Sequence, residues 1–391
     1  MNAPRPCGEW LEDFNQWCLN RPPDNWLRLH EIGIRASIAH DLYYPPELRN
    51  AFDLLVKVVY IYVVEFFHPT EWEPVLMDAL VQAQELHDRP VMLRVYAALG
   101  TAYYAMGRNK KALSAFEITL DRSRTDEFEK MELAAYIGLI RVQATNLSAD
   151  FEPDLFARAL ERSQQGAHAE TRAALYQALA LVCINRWQLC EGLNWARKAF
   201  YLWRTIGEDM ETAKTCYLLA VGSRMAKRYD RAQYWLKRTE TYFGYTPYVL
   251  QQVLVDLEAG IVAYENDKHQ PAEAILSKAL EMAYQLRSDV YIFPISYMLG
   301  VSLIELGKLE LAYKNLEIAR QGWDSQQNNF ELVKVYIALS YIGLKMANSD
   351  EYVQYLNIAE AALSYVQFLE QRKSLKRIID SLRNDPDSFL T

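Results

Sequence analysis

Apolar residues recur along this chain at two periods. Over short stretches they fall about three or four positions apart, the spacing that places side chains on one face of a helix. Over the whole chain each stretch returns after 40 residues. Stepping from Ala79 by that interval reaches Thr119, Ala159, Ala199, Thr239, Ala279, Ala319 and Ala359, all small. A second series runs Val59, Leu99, Leu139, Leu179, Leu219, Ala259, Leu299 and Leu339. Beside it stand Tyr60, Gly100, Ile140, Ala180, Ala220, Gly260, Gly300 and Ser340. A fixed interval held over about eight units predicts a solenoid, because each unit buries its apolar face only against its neighbours.

Each unit holds two amphipathic segments around a short polar turn. In Val95 to Leu120, the residues Tyr96, Leu99, Gly100, Tyr103 and Tyr104 share one helical face. Gly107-Arg108-Asn109 then interrupts, with glycine suited to the left-handed C-terminal position. A second helix follows, its Ala112, Leu113, Phe116, Thr119 and Leu120 on one side. A connection this short makes the two helices antiparallel. Gly100 or Ala220 on first helices, and Ala112 or Ala312 on second helices, let the axes approach, while Phe116 and Leu316 fill the adjoining holes. Trp72, Glu152 and Tyr352 interrupt the small column that contains Ala112, which makes the first, third and last units irregular. Pro74, Pro153 and Pro271 fall near the starts of second helices, where no N–H is needed; Pro294 falls early in a first helix, to start it or to kink it.

The stretch Tyr96, Leu99, Gly100, Tyr103, Ala112, Phe116, Thr119 resembles a tetratricopeptide repeat, as does Ser296, Leu299, Gly300, Leu303, Ala312, Leu316, Ala319. The similarity covers about Ala51 to Gln371. It implies an all-α, right-handed solenoid of helix-turn-helix repeats. Two departures stand out. The usual unit has about 34 residues, and the family's proline after the second helix is replaced by residues such as Arg124, Arg204 and Tyr284. Both predict helices longer than usual. Long-helix variants resemble bacterial peptide-pheromone receptors of the Rap type and the sensor arms of signalling ATPases.

The ends depart from the period. Residues 1–50 contain helical patterns at Trp10, Phe14, Trp17, Cys18 and at Trp26, Leu29, Ile32, Gly33, separated by Pro22-Pro23 and closed by Pro45-Pro46. They read as a helical cap, or as a partner-binding head, ahead of a superhelix over 51–371. Residues 372–391 close the chain as a capping helix and tail. The segment from Val366 sets Leu369, Leu375, Ile378, Ile379 and Leu382 opposite Arg372, Lys373, Lys376, Arg377 and Arg383. Cations toward a helix C-terminus favour a cap; a basic amphipathic helix also suits an acidic partner or a membrane surface.

Composition narrows the function. The net charge is −8, which disfavours broad phosphate-backbone contact. Five cysteines, Cys7, Cys18, Cys183, Cys190 and Cys216, form no framework and read as reduced thiols of a cytoplasmic protein. Cys183 and Cys190 are expected to be buried near Trp187 and Leu189 rather than to bind metal. The first residues lack a secretory core. The stretch Leu54 to Phe67, broken by Lys57 and Glu65, reads as a buried helix. No phosphate loop, HExxH or nucleophile elbow is present, and the six histidines are scattered. No metal or cofactor is expected, and an enzyme or a nucleic-acid binder is disfavoured.

The tetratricopeptide resemblance implies that first helices line a concave wall. Carried onto this sequence, that wall would present Lys57, Arg94, Tyr104, Arg141, Gln177, Asn185, Lys214, Tyr217 and Arg224 from the early and middle units. Tyr264, Glu265, Tyr297, Glu305 and Lys334 would follow from the later ones. Tyrosine and arginine are the side chains enriched at binding hot spots. The expectation is a non-catalytic scaffold or adaptor that grips a partner protein or peptide, basic toward the middle units and acidic beyond, with a Rap-type regulatory receptor as the alternative.

Overall fold

The computed structural model describes residues 4–20, 26–61, 69–124, 128–145, 153–165, 168–243, 249–286, 289–366 and 369–386. All regular structure among them is helical. The second half of the Leu54–Phe67 stretch, Glu152, and the side chains of Cys18, Trp26 and Leu29 lie outside what is described.

The 40-residue period appears directly in the helices. First helices α5 (Arg89–Ala105), α7 (Glu129–Thr145), α9 (Ala169–Asn185), α11 (Asp209–Met225), α13 (Val249–Glu265), α15 (Asp289–Glu305) and α17 (Asn329–Lys345) each have 17 residues and start 40 apart. The second helices are α6 (Asn109–Arg122), α8 (Pro153–Gln165), α10 (Leu189–Ile206), α12 (Tyr229–Phe243), α14 (His269–Gln285), α16 (Leu309–Ser325) and α18 (Ser349–Leu363). Ahead of them come α3 (Leu48–Ile61) and α4 (Glu73–Glu85), both packed on α5, with Trp72 fully buried where the later column is small.

The turn explains the strict register. After α5, α9, α11, α13, α15 and α17, one residue takes a left-handed φ: Gly107, Trp187, Lys227, Asp267, Gly307 and Ala347, all between 54° and 70°. Gly107 N–H donates to the Tyr104 carbonyl at 3.0 Å and Arg108 N–H to the Tyr103 carbonyl at 2.9 Å. These two bonds satisfy carbonyls that the helix end leaves unpaired and turn the chain back within three residues.

Packing follows the small columns. A Cβ on Gly100 would lie 2.6 Å from the Phe116 ring, on Gly260 2.5 Å from Leu276, and on Gly300 2.8 Å from Leu316. Each knob sits 16 residues after its hole, so the contact repeats with the unit. Pro294 lies inside α15, which continues through it.

The chain folds as two compact units, one of Met1–Lys227 with Lys237–Tyr248, the other of Arg228–Leu236 with Val249–Thr391. In the first, α1 (Cys7–Asn20) and α2 (Trp26–Asp41) pack on α3, and Trp10, Phe14, Trp17, Ile34 and Ile38 join one core with the first repeats. Two carboxylates hold the start of α1: Asp41 accepts from Cys7 N–H at 2.7 Å and Glu47 from Gly8 N–H at 2.8 Å. In the second unit, α19 (Leu369–Asn384) covers the last repeat through Leu375, Ile379 and Leu382, packed on Val333, Leu356 and Leu363. Ile378, expected on that face, is 41 % exposed. The cations of α19 are largely engaged: Lys376 donates to Glu360, Arg383 to Glu360 and Asn357, and Arg372 to the Val366 carbonyl.

Candidate functional site

In the first unit, α3, α5, α7 and α9 lie side by side and enclose a cavity of about 280 Å³. Its walls are apolar because the facing positions are small: Ala97 and Ala98 on α5, Ala134 and Gly138 on α7, Ala174 on α9. Phe116 reaches through from α6 to form part of the floor. Its ring is wedged between Gly100 and Gly138, where a Cβ would meet it at 2.6 and 2.4 Å. Neither glycine can be replaced without moving the ring, so these two positions shape the cavity.

Three of the predicted wall residues converge on this cavity: Arg94, Tyr104 and Arg141. Arg94 is paired with Asp53 of α3 at 2.5 Å. Tyr104 is half-buried; burial raises its hydroxyl pKa, and the positive charge of Arg141 opposes the rise. Arg141 is half-buried and forms no hydrogen bond or ion pair among the described residues; its field reaches Tyr104 and Glu211. A partly desolvated guanidinium without a carboxylate partner leaves five donors available to an anion.

The neighbouring polar residues of the wall are already engaged. Gln177 is buried, only 7 % exposed, and donates to Thr215 Oγ1 at 3.2 Å, so it is not an amide offered to solvent. Asn185 donates to the Ala144 carbonyl at 3.1 Å. Lys214 donates to Glu211 at 2.7 Å. Burial pushes the Glu211 carboxyl up, but Lys214 and Arg141 outweigh it and the net shift is downward. The wall of the middle repeats is therefore less basic than expected, because Asp53 and Glu211 neutralise Arg94 and Lys214. Tyr217 and Arg224 are half-buried on α11 and engaged within the chain.

The second unit gathers its own set. Tyr264 is half-buried with its ring 5.4 Å from His269; burial, then Glu305, Tyr341, Asp267 and Glu265, push its hydroxyl up to about 12. Tyr297 lies 5.7 Å from Trp323, and the Lys334 ammonium sits 4.8 Å over its ring while donating to Glu331. Glu305 is exposed and Glu265 half-buried.

The small apolar floor is absent from the predicted wall residues. A signal for it exists: 40 and 80 residues after Arg94, ahead of Lys214 in the same column, stand Ala134 and Ala174. Two alanines in an outward-facing column leave room, which a search for polar side chains overlooks. The thiols also differ from expectation. Cys183 is buried, but Cys190 is exposed and Trp187 is 70 % exposed, because the left-handed turn swings that ring away from the core. Among the described residues, no group of three His, Cys, Asp or Glu could hold a metal ion, and no helix is long and apolar enough to cross a membrane.

No family model and no curated protein sequence matches the chain. Solved structures do match. A Rap protein complexed with competence and sporulation factor is 12% identical, with a TM-score of 0.59 over 87% of this chain and 98% of that one. NprR in complex with its cognate peptide NprX is 14% identical, with a TM-score of 0.51 over 96% and 98%. The signal transduction ATPase with a tetratricopeptide repeat sensor from Pyrococcus horikoshii is 15% identical, with a TM-score of 0.58 over 92% of this chain; the chain spans 56% of that protein. At such identities the likeness is one of fold. Joined to the 17-residue first helices at 40-residue intervals and the glycine-and-knob contacts, it makes this chain a tetratricopeptide-type α-solenoid built from long units.

Proposed function

We propose that this chain is a non-catalytic binding protein whose first unit grips an extended segment of a partner protein at the cavity between α3, α5, α7 and α9. The observation that carries the reading is Arg141. It stands half-buried and without an ion pair beside a cavity floored by small apolar groups. An acid on the partner would satisfy the guanidinium, and a neighbouring apolar side chain would enter the cavity. Arg94 and Tyr104 frame the same opening and would orient the segment.

A regulatory form of the same reading draws support from two of the similar structures, one a Rap protein complexed with competence and sporulation factor, the other NprR with its cognate peptide. In that form the segment gripped by this chain would be a free peptide that shifts it between two states. Small-angle scattering distinguishes the forms: a saturating peptide compacts a regulatory receptor and leaves a plain adaptor unchanged.

The test is selection of peptides from a random display library, followed by fluorescence anisotropy with the best binder. Selected sequences are expected to pair an acid with a large apolar residue. Arg141→Glu and Ala134→Phe should each weaken binding by about tenfold or more, one by charge and one by filling the cavity, with helical content unchanged. Wild-type affinity in both variants refutes the site.

A further inference from the structure

The outer face of α10 carries a feature that the inner cavity does not use. Arg197, Lys198, Tyr201 and Arg204 are all exposed and, at helical spacing, lie on the solvent side of one helix. None of the three cations forms a hydrogen bond or ion pair among the described residues; the Lys198 ammonium rests 4.0 Å over the Trp195 ring. The acid of α10, Glu191, sits at its start and accepts from Trp195 Nε1. Other second helices of this unit mix their charges: α6 sets Glu117 and Asp121 among its cations, and α8 sets Asp154 and Glu161 beside Arg158. In a chain of net charge −8, a run of three uncompensated cations is a local exception.

Trp187 makes a second, independent exception. It occupies the left-handed turn position just before α10, with φ 61° and 70 % exposure. Equivalent turns hold Gly107, Lys227, Asp267, Gly307 and Ala347. An indole there strains the backbone and leaves a large apolar surface in water, and the fold gains no core contact in return. Lys227, Asp267 and Ala347 take a similar φ, so the exposed indole at the head of the cationic helix, rather than the strain, sets this position apart.

We propose that the outer face of α10, with Trp187 at its head, is a second interaction surface that docks an acidic segment of a partner protein. Trp187 and Tyr201 supply rigid aromatic area, and Arg197, Lys198 and Arg204 meet the segment's carboxylates. A protein segment fits better than a nucleic acid or a membrane: the patch is one helix long, and the chain's overall negative charge repels extended polyanions.

The experiment uses the full chain and a fluorescein-labelled, glutamate-rich peptide containing leucine, followed by anisotropy in low salt. The wild type should bind it, and added salt should weaken binding because the cations are exposed. The triple variant R197E/K198E/R204E should lose about tenfold or more, with an unchanged circular dichroism spectrum, and the milder pair Lys198→Gln with Arg204→Gln should lose less. Trp187→Gly should weaken binding while raising the thermal midpoint. The comparison is repeated in an Arg141→Glu background, which removes the inner cavity's share of binding, so that what remains reports on α10 alone. The proposal is overturned if the Arg141→Glu chain does not bind the probe, or if adding the triple variant to it leaves binding unchanged. It is equally overturned if single-stranded DNA or phosphatidylserine vesicles bind as tightly as the peptide and displace it.

Discussion

Single residues set both the packing and the turns of this protein. Gly100 and Gly138 hold the Phe116 ring between two first helices, so Phe116→Ala should cost about 3–5 kcal/mol, the range for emptying a buried aromatic site. Urea denaturation followed by far-ultraviolet circular dichroism measures it. The left-handed turn residues offer a paired test: Gly307→Ala should destabilise by about 1 kcal/mol, while Lys227→Gly should stabilise by up to about 1 kcal/mol, since only glycine takes a positive φ without steric strain. The Gly100–Phe116 contact was legible beforehand because hole and knob recur at a constant offset, as at Gly300 and Leu316. The Gly138–Phe116 contact was not, since it joins different repeats and no glycine stands at the equivalent positions Ala98, Ala178, Leu218, Glu258, Met298 and Ala338.

At the level of the element, longer helices and antiparallel pairing followed from apolar periodicity and turn composition, and the turn around Gly107 stands where the sequence placed it. The terminal helix α19 was expected to cap the array, with an acidic partner or a membrane surface as the alternative for its basic face. Glu360 accepts from both Lys376 and Arg383 and turns much of that face into a clasp. These hydrogen bonds, Lys376 first and then Arg383, hold the Glu360 carboxyl below its ordinary value of 4.5. A lowered carboxylate pKa contributes stability above the unfolded value, and the contribution disappears as pH falls through the folded one. Protection of the α19 amides against hydrogen exchange, relative to their intrinsic rates, should therefore fall in acid more in the wild type than in Glu360→Gln, with the two alike once the carboxyl is protonated. The pair is well exposed, so a modest difference is expected, and salt should reduce it.

Over the whole molecule the 40-residue unit acts as a module. Removing Asp289–Asn328, one full unit, would bring Ser340 and Leu356 into the columns vacated by Gly300 and Leu316. That deletion should retain mean residue ellipticity and cooperative unfolding at a lower midpoint, because stability in such arrays sums over units and their interfaces. Removing only 289–308 deletes a first helix and strands its partner's apolar face; aggregation in size-exclusion chromatography is the expected outcome. Repeat length, helix type, turn position and the small-residue columns were all determined by the sequence alone, since each arises from neighbours along the chain or from a contact repeated at constant offset. Which wall side chains remain available was decided by tertiary structure. Asp53 reaches Arg94, Thr215 receives Gln177 and the Ala144 carbonyl receives Asn185, each pair bridging different helices, while Arg141 is left without a partner. Hydrogen bonds and ion pairs depend on separations of a few ångströms between helices, and a sequence period carries no such distances.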